Sequence, residues 1–261
     1  MQDISLALLI LSCDKYSDLW SGYFYQFEKN FNLEVPVYFA SNNLTPNTSI
    51  PLRMIQTGEE LNWSSNFKKV LMEIEEKFVF ITLEDLYPKS PFSLELFSEA
   101  CNFISRSSLE LKQLKCSGVV RGKEMVDEHI SRLPRGLPYR VTLCGIWNRE
   151  FLLSFIKDEE NPWEFEVNGS SRAADIEGFF AMTIPIYETV NMVEKGFWIR
   201  ESVRWALNND LPINLNSRHL KNWRQEAYSK IKNYYFNFVM KINYARRKKI
   251  VDLIKKILII H

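Results

Sequence analysis

Buried strands and amphipathic helices alternate along the first third of the chain. Three runs of consecutive apolar residues each end in polar residues, which is typical of strands buried on both faces of a parallel sheet. Between them, apolar and aromatic residues recur at helical spacing. The predicted strands are 4–12, 35–40 and 78–83, and the predicted helices are 17–31 and 64–76, the latter capped by Ser64 or Ser65. This order predicts an α/β sheet with right-handed crossovers.

The rest of the chain predicts further elements of both kinds. Pro46 and Pro51 lie among Asn and Thr residues, so residues 43–52 are predicted to form a loop. From about Trp223 the apolar spacing predicts a helix to the end of the chain. The other predicted helices are 91–106, 148–156, 174–182 and 199–208, and the other predicted strands are 116–121, 138–145 and 183–193.

Charge is distributed unevenly between two parts of the chain. The whole sequence has 33 Lys and Arg against 32 Asp and Glu, a formal net charge of +1. Residues 221–261 hold eleven basic and two acidic residues, a net charge of +9, which leaves −8 for residues 1–220. We therefore predict a globular domain at 1–220 and a basic helical segment at 221–261. The near-neutral total argues against a dedicated nucleic-acid binder.

The basic segment has the pattern of an amphipathic helix at an anionic bilayer surface. In residues 241–261, apolar residues at helical spacing are interleaved with the basic clusters 246–249 and 255–256. The alternatives are a helix packed on the globular domain or on a dimer partner and, with less support, a nucleic-acid contact. No apolar run reaches about 18 residues. We expect a cytoplasmic protein, peripheral on the inner face of the cytoplasmic membrane.

Several kinds of site are disfavoured by missing motifs. The four cysteines form no C-x-x-C pair and have no histidine at ligand spacing, which disfavours a zinc site and predicts reduced thiols. The chain contains neither G-x-G-x-x-G nor G-x-x-x-x-G-K-[ST], so a dinucleotide fold and a P-loop are both disfavoured. The three histidines are scattered, and no Ser-His-Asp arrangement is indicated.

Carboxylates follow two of the predicted buried strands. Ligands of open α/β sheets bind at the carboxyl ends of the strands, so these positions are candidates for a site. Asp14 follows the first strand and either binds a base or ribose edge or acts as a turn or capping residue. Glu84 and Asp85 follow the strand at 78–83. They either hold Mg²⁺ or Mn²⁺ against a diphosphate or open a polar loop.

A third group of candidates lies at 161–166 (NPWEFE). Asn161 and Pro162 predict a helix start, and Glu164 then occupies the position of a capping-box glutamate. Glu166 is not needed for capping and shares a helix face with Trp163. A tryptophan beside a carboxylate can hold a sugar ring and deprotonate its hydroxyl, although a solvated helix face is the alternative.

Lys195 is the last candidate of this kind. It precedes Gly196 and either reaches a diphosphate as a point charge or lies exposed in a turn.

Four segments, taken in order, carry a resemblance to a known family. They are 12–20, then 62–65 leading into 78–85, then 139–147 leading to 162–166, and finally 193–198. In these segments the chain resembles bacterial nucleotide-sugar-dependent glycosyltransferases of the GT-A fold, which build capsule, O-antigen (lipopolysaccharide) and other surface polysaccharides. The resemblance spans most of residues 1–220. It implies a Rossmann-type mixed sheet flanked by helices, followed here by the basic tail.

The resemblance also implies roles for particular residues. The implied donor-binding residues are Asp14, Tyr16, Asn62, Trp63, Glu84, Asp85 and Lys195, and the implied acceptor-binding residues are Trp163 and Thr142. Asp85 is the implied ligand of Mn²⁺ or Mg²⁺. Many such enzymes carry Asp-x-Asp where this chain has Glu84-Asp85, so metal dependence stays open.

The expected reaction is inverting transfer from a nucleotide-diphosphate sugar, a UDP-sugar above all, to a glycan hydroxyl. The general base is Glu166 or alternatively Glu164, and the basic tail suits a lipid-linked acceptor. Two other hypotheses are kept, a nucleotidyltransferase and a non-catalytic membrane-peripheral scaffold of the same fold. No nucleic-acid partner is expected.

Overall fold

The chain folds around one large mixed β-sheet. The structure is a computed structural model, and it describes residues 4–59, 62–107, 109–119, 122–227, 229, 231 and 234. The strands are β1 (Leu6–Leu11), β2 (Val37–Ser41), β3 (Leu52–Gln56), β4 (Phe78–Leu83), β5 (Leu86–Pro88), β6 (Gln113–Lys115), β7 (Glu124–Met125), β8 (Ile130–Arg132), β9 (Gly145–Asn148), β10 (Phe179–Met182), β11 (Thr189–Asn191), β12 (Val193–Glu194) and β13 (Phe197–Trp198). The helices are α1 (Ser17–Asn30), α2 (Trp63–Glu73), α3 (Leu94–Ser107), α4 (Arg149–Phe155), α5 (Pro162–Arg172) and α6 (Arg200–Asn208).

The strand order of the main sheet is β3-β2-β1-β4-β9-β6-β10-β8-β7. Strands β3, β2, β1 and β4 are parallel, with Leu8 opposite both Val37 and Phe80. Strand β9 is antiparallel to both β4 and β6, and β10 runs parallel to β6. The carboxyl ends of β1, β2, β4, β6 and β10 therefore lie at the same edge of the sheet. The predicted α/β class, with a mixed sheet flanked by helices, is confirmed.

Apolar side chains fill both faces of the sheet. In β1, Leu6, Leu8 and Ile10 face a core formed with α1, α3 and α6, while the alternate residues face a core formed with α2, α4 and α5. All six residues of β1 are buried. Because both faces are covered, the strand needs apolar residues at every position, which explains the continuous runs in the sequence.

Three predicted elements differ from the observed ones in the second half of the chain. Residues 138–144 are irregular, and β9 begins only at Gly145. Residues 174–182 were predicted to be helical, but Phe179–Met182 form β10. Residues 183–193 were predicted to be one strand, but a loop comes first and β11 begins only at Thr189. A short apolar run does not distinguish a buried strand from a buried helix by periodicity, and the FFAM run of β10 is such a case.

Smaller differences affect three other boundaries. Strand β3, which was not predicted, begins at Leu52, the last residue of the predicted loop at 43–52. The strand predicted at 116–121 lies at Gln113–Lys115 instead. The cap of α2 is Asn62, which accepts a hydrogen bond from the Ser65 amide, rather than either predicted serine.

The start of the basic segment is held on the globular domain. Lys221 is buried and pairs with Glu194 of β12, and Arg200 of α6 lies 3.3 Å from Glu226. Residues 223–227 are helical, as predicted, whereas the rest of the predicted helix beyond residue 234, including the amphipathic pattern at 241–261, lies outside the described residues. Within the part of the chain that the structure describes, no helix has the length and apolarity needed to cross a membrane.

Candidate active site

A cavity of about 590 Å³ opens at the carboxyl ends of β1, β2 and β4. This is the edge at which open α/β sheets bind their ligands. One wall carries Ser12, Tyr16, Asn42 and other residues that follow β1 and β2, together with Trp63 and Asn66 of α2. The other wall carries the two carboxylates after β4 and the first turns of α5. Of the predicted site residues, the lining comprises Tyr16, Trp63, Glu84, Asp85, Trp163 and Glu166.

Glu84 and Asp85 form an acidic wall of this cavity. Glu84 is only 6% exposed. Burial, and secondarily the charge of Asp85, raises the pKa of Glu84 well above its ordinary value. Burial also raises the pKa of Asp85 to about 6, and the Arg218 guanidinium opposes that rise. Burial therefore penalises the ionised form of both carboxylates more than their surroundings stabilise it, and a bound cation would offset that penalty.

The acidic wall fits the divalent cation that the sequence suggests. The Oδ1 atom of Asp85 is buried and has no hydrogen-bond partner. Hard carboxylate oxygens are suitable ligands for Mg²⁺ and Mn²⁺, which commonly take their remaining ligands from water and phosphate. Among the described residues, however, there is no cluster of three or more His, Cys, Asp or Glu at metal-binding separation. Asp85, with Glu84 beside it, would thus supply only part of a coordination shell.

Arg218 contributes a cation close to the acidic wall that sequence reasoning missed. Its guanidinium forms two hydrogen bonds with Asp18 at 2.7 and 2.8 Å and lies 4.4 Å from the centre of the Tyr16 ring. Tyr16 lines the cavity. Because Arg218 is 200 residues from Asp18 along the chain, no local pattern in the sequence connects them.

Asp14 holds the loop after β2. Its carboxylate accepts hydrogen bonds from the backbone amides of Asn42, Asn43 and Leu44 at 3.0 to 3.2 Å, and the Asn42 side chain accepts from the Asp14 amide at 3.0 Å. Asp14 itself does not line the cavity, whereas Asn42 does. The structure therefore favours the turn-stabilising alternative over direct nucleotide contact for Asp14.

The two candidate general bases, Glu164 and Glu166, both belong to helix α5 but differ in their surroundings. Asn161 caps the helix by accepting from the Glu164 amide, and the Glu164 carboxylate accepts from the Asn161 amide, both at 3.0 Å. This is the predicted capping box, and Glu164 is exposed outside the cavity lining. Glu166, two residues later, lines the cavity. Only Glu166 is therefore placed to act in the cavity.

The surroundings of Glu166 control its charge. Its Oε1 accepts a hydrogen bond from the Leu143 amide at 2.9 Å. Burial raises the pKa of Glu166, while the Leu143 amide and the charge of Lys115 both lower it. A carboxylate with a raised pKa beside an aromatic ring is suited to accept a proton near neutral pH. Trp163, which is 68% exposed, lies at the same end of the cavity.

Besides Asp14 and Glu164, three further predicted site residues lie away from the cavity lining. Lys195 and Gly196 form the turn between β12 and β13, with positive φ values of 52° and 80°, and Lys195 is exposed. Asn62 caps α2. Thr142 donates to the Cys144 carbonyl at 3.1 Å and lies beside Gln113. The geometry gives these three residues local structural contacts and does not bring them to the ligand cavity.

Comparisons with known proteins find similarity only among solved structures. No protein-family model and no curated protein sequence matches the chain. TarS from S. aureus in complex with UDP is 14% identical, with 69% of this chain and 58% of that chain covered and a TM-score of 0.47. The mannosyltransferase PcManGT from Pyrobaculum calidifontis, in complex with GDP-Man and Mn²⁺, is 14% identical, with 78% and 60% covered and a TM-score of 0.45.

A third similar structure is a cytidylyltransferase from Leptospira borgpetersenii. It is 9% identical, with 79% of this chain and 95% of that chain covered and a TM-score of 0.45. The chain spans less than two thirds of the TarS and PcManGT chains. At identities of 14% or less, these similarities concern the backbone and assign no role to any residue of this chain.

Proposed function

We propose that this protein is a glycosyltransferase that moves a sugar from a nucleotide-diphosphate sugar, preferably a UDP-sugar, to a glycan hydroxyl. The observation that carries the proposal is the cavity itself, in which Glu84 and Asp85 face the same space as Glu166 and Trp163. Its volume of about 590 Å³ lies within the range of small-molecule sites. An acidic wall for a cation-bound diphosphate and a second, separate carboxylate for proton removal are what this transfer requires.

The donor is proposed to lie over the ends of β1, β2 and β4. Tyr16 and Trp63 offer aromatic surfaces for the base or sugar. Asn42 lies in the same wall, where its side chain is held by the Asp14 amide and the Gly58 carbonyl. The diphosphate is proposed to lie beside Asp85. A divalent cation bound there would neutralise charge on the departing diphosphate. Arg218 is close enough to Asp85 and Tyr16 to add positive potential at the same end of the cavity.

The proposed reaction is a direct displacement with inversion. Glu166 removes the proton of the acceptor hydroxyl while the hydroxyl oxygen forms a bond to the anomeric carbon. The bond between the anomeric carbon and the diphosphate oxygen breaks, and the nucleoside diphosphate leaves with the electron pair. Trp163 would hold the apolar face of the acceptor sugar against its ring, which keeps the hydroxyl in line for attack.

A melting assay with nucleotides tests the donor site. We expect a nucleoside diphosphate, UDP above all, to raise the melting temperature by several degrees at saturating concentration, because ligand binding to the folded state stabilises it by mass action. The assay is run with and without Mn²⁺, and nucleoside monophosphates serve as the control. The absence of a shift with every nucleoside diphosphate would count against a donor site and favour the scaffold hypothesis. Turnover of a nucleoside triphosphate with a sugar phosphate would instead favour a nucleotidyltransferase.

We further propose that the basic segment holds the enzyme at the inner face of the cytoplasmic membrane, next to a lipid-linked acceptor. Trp223, Ile231 and Tyr234 lie at helical spacing and are 72%, 68% and 77% exposed. Exposed aromatic and apolar side chains beside many basic residues suit the interface of an anionic bilayer. The division into a catalytic domain at 1–220 and a membrane segment at 221–261 is part of this proposal.

Flotation with vesicles tests the membrane proposal. We expect the full chain to float with vesicles rich in phosphatidylserine or phosphatidylglycerol, and a variant without residues 241–261 to stay largely in the soluble fraction. Each basic residue near the surface contributes about 1 kcal/mol to such binding. A matched variant with Arg246, Arg247, Lys248 and Lys249 changed to Gln keeps the length and should also bind more weakly. Equal flotation of all three proteins would rule out binding through this segment.

A further inference from the structure

Lys115 occupies an unusual place for a lysine, in the middle of the main sheet. It ends β6, which lies between β9 and β10, and only 2% of its surface is exposed. Its ammonium group donates a hydrogen bond to the Tyr139 carbonyl. A buried ammonium costs free energy unless it is compensated, so a role in the folded protein is expected for it.

The segment 139–143 connects Lys115 to Glu166. Its first carbonyl, on Tyr139, accepts from Lys115, and its last amide, on Leu143, donates to Glu166. Between them, the Val141 amide donates to the Ser170 hydroxyl at 3.0 Å, and that hydroxyl donates to the Glu166 carbonyl at 2.6 Å. Tyr139 has a φ of 48°, an uncommon conformation for a residue other than glycine. The segment is therefore held at its first residue by Lys115 and at its last residue by Glu166.

We propose that Lys115 is a positioning residue, which holds Glu166 ionised and directed into the cavity by its charge and by its bond to the 139–143 segment. The consequence for turnover rests on the function proposed above. The effect on Glu166 itself does not, because it follows from the contacts of the folded chain. Lys115 does not line the cavity, so we assign it no contact with substrate.

The groups around Lys115 and Glu166 set the pH range in which Lys115 is charged. Burial lowers the pKa of Lys115 to about 7, Glu166 opposes that shift, and the Arg140 guanidinium adds to it. Cys144 also interacts with Glu166, and burial raises the pKa of its thiol well above the ordinary value. Glu84 and Asp85 face the same cavity as Glu166. Lys115 is therefore charged mainly below about pH 7, and its charge can stabilise ionised Glu166 only in that range.

A titration of Glu166 without substrate tests the proposal directly. The carboxyl carbon of Glu166 is followed by ¹³C NMR in the full-length protein, and its resonance is identified by its loss in Glu166→Gln. We expect the protonation midpoint of Glu166 to move to higher pH in Lys115→Met and to stay near the wild-type value in Lys115→Arg, which keeps the charge. Lys115→Gln replaces the Met variant if that variant does not fold. An unchanged midpoint in the folded neutral variants would overturn the proposal.

A second measurement connects the pair to turnover. On the acid side of the pH profile, we expect Lys115→Met to lower kcat several-fold with little change in the donor KM. Above about pH 7, where Lys115 of the native enzyme is neutral, only the smaller loss that comes from the missing bond to the Tyr139 carbonyl should remain. In the Glu166→Gln background, Lys115→Met should no longer change the shape of the profile. A uniform loss at every pH would indicate a structural role and overturn the proposal. A wild-type protein without transfer activity contradicts the proposed function but leaves the NMR test intact.

Discussion

Replacing Glu166 with glutamine is expected to lower turnover by about 10²-fold or more, since the loss of a general base typically has an effect of this size. Glutamine keeps an oxygen that can accept from the Leu143 amide, so the helix and the 139–143 segment should stay in place. The donor-induced melting shift should also stay close to wild type, because the acidic wall is not changed. The measurement is kcat with a saturating donor, together with the free energy of unfolding.

Glu164→Gln is the matched control for this experiment. Glutamine also serves at the third position of a capping box, so the helix start should keep its stability. Glu164 is exposed and its carboxylate is bonded to the Asn161 amide, so turnover should stay near the wild-type value. If Glu166→Gln were almost fully active and Glu164→Gln inactive, the assignment of the base would be reversed. If both were active, neither glutamate would be the base.

The elements that could be predicted from the sequence are those whose determinants are local. The continuous apolar runs of β1 and β4 follow from burial on both faces, and the Asn161–Glu164 capping box needs only four consecutive residues. The carboxylates after β4 could be found because the end of a buried strand is a defined place in an α/β sheet. Glu166 was selected on other local grounds, because it is not needed for capping and shares a helix face with Trp163.

The contacts that sequence reasoning missed join distant parts of the chain. Asp14 was predicted either to contact the nucleotide or to stabilise a turn, and its position after β1 did not show that its carboxylate accepts from three amides of the loop after β2. Arg218 reaches Asp18 across 200 residues, and Lys115 reaches Tyr139 across 24 residues that include β7 and β8. Each of these contacts depends on which distant segments become neighbours in the folded chain, and a single sequence carries no local pattern that indicates such neighbours.

Replacing Asp85 with asparagine is expected to change activity and stability in opposite directions. Turnover should fall by about 10²-fold or more, because removing one preorganised electrostatic group from a reaction of this type has an effect of that order. Any Mn²⁺-dependent part of the UDP-induced melting shift should also be lost. The free energy of unfolding, by contrast, should rise on the order of 1 kcal/mol or more near pH 7, since the wall then carries one buried negative charge fewer.

The raised pKa of Asp85 determines the pH range in which this stability difference appears. The pKa of Asp85 is raised to about 6 in the folded chain, against an ordinary value of about 4 when unfolded. Below both values the side chain is protonated in either state, and its burial then carries no charge penalty. Between about pH 4 and pH 6 the unfolded chain loses this proton first, so the wild-type protein loses stability as pH rises through that window. The stability advantage of Asp85→Asn should therefore appear above about pH 4 and reach its full size above about pH 6.

An exposed aspartate provides the control for the Asp85 experiment. Asp175→Asn removes the same charge from the surface, away from the cavity, and should change neither turnover nor the pH dependence of unfolding appreciably. A destabilised Asp85→Asn variant would mean that the native carboxylate is already compensated in the folded protein, which would contradict the uncompensated acidic wall. A stabilised but fully active variant would support the buried, uncompensated charge of Asp85 but would show that Asp85 takes no part in the reaction. If Asp85 serves the reaction through its charge and not through its packing, neutralising it should increase the stability of the protein and lower its turnover.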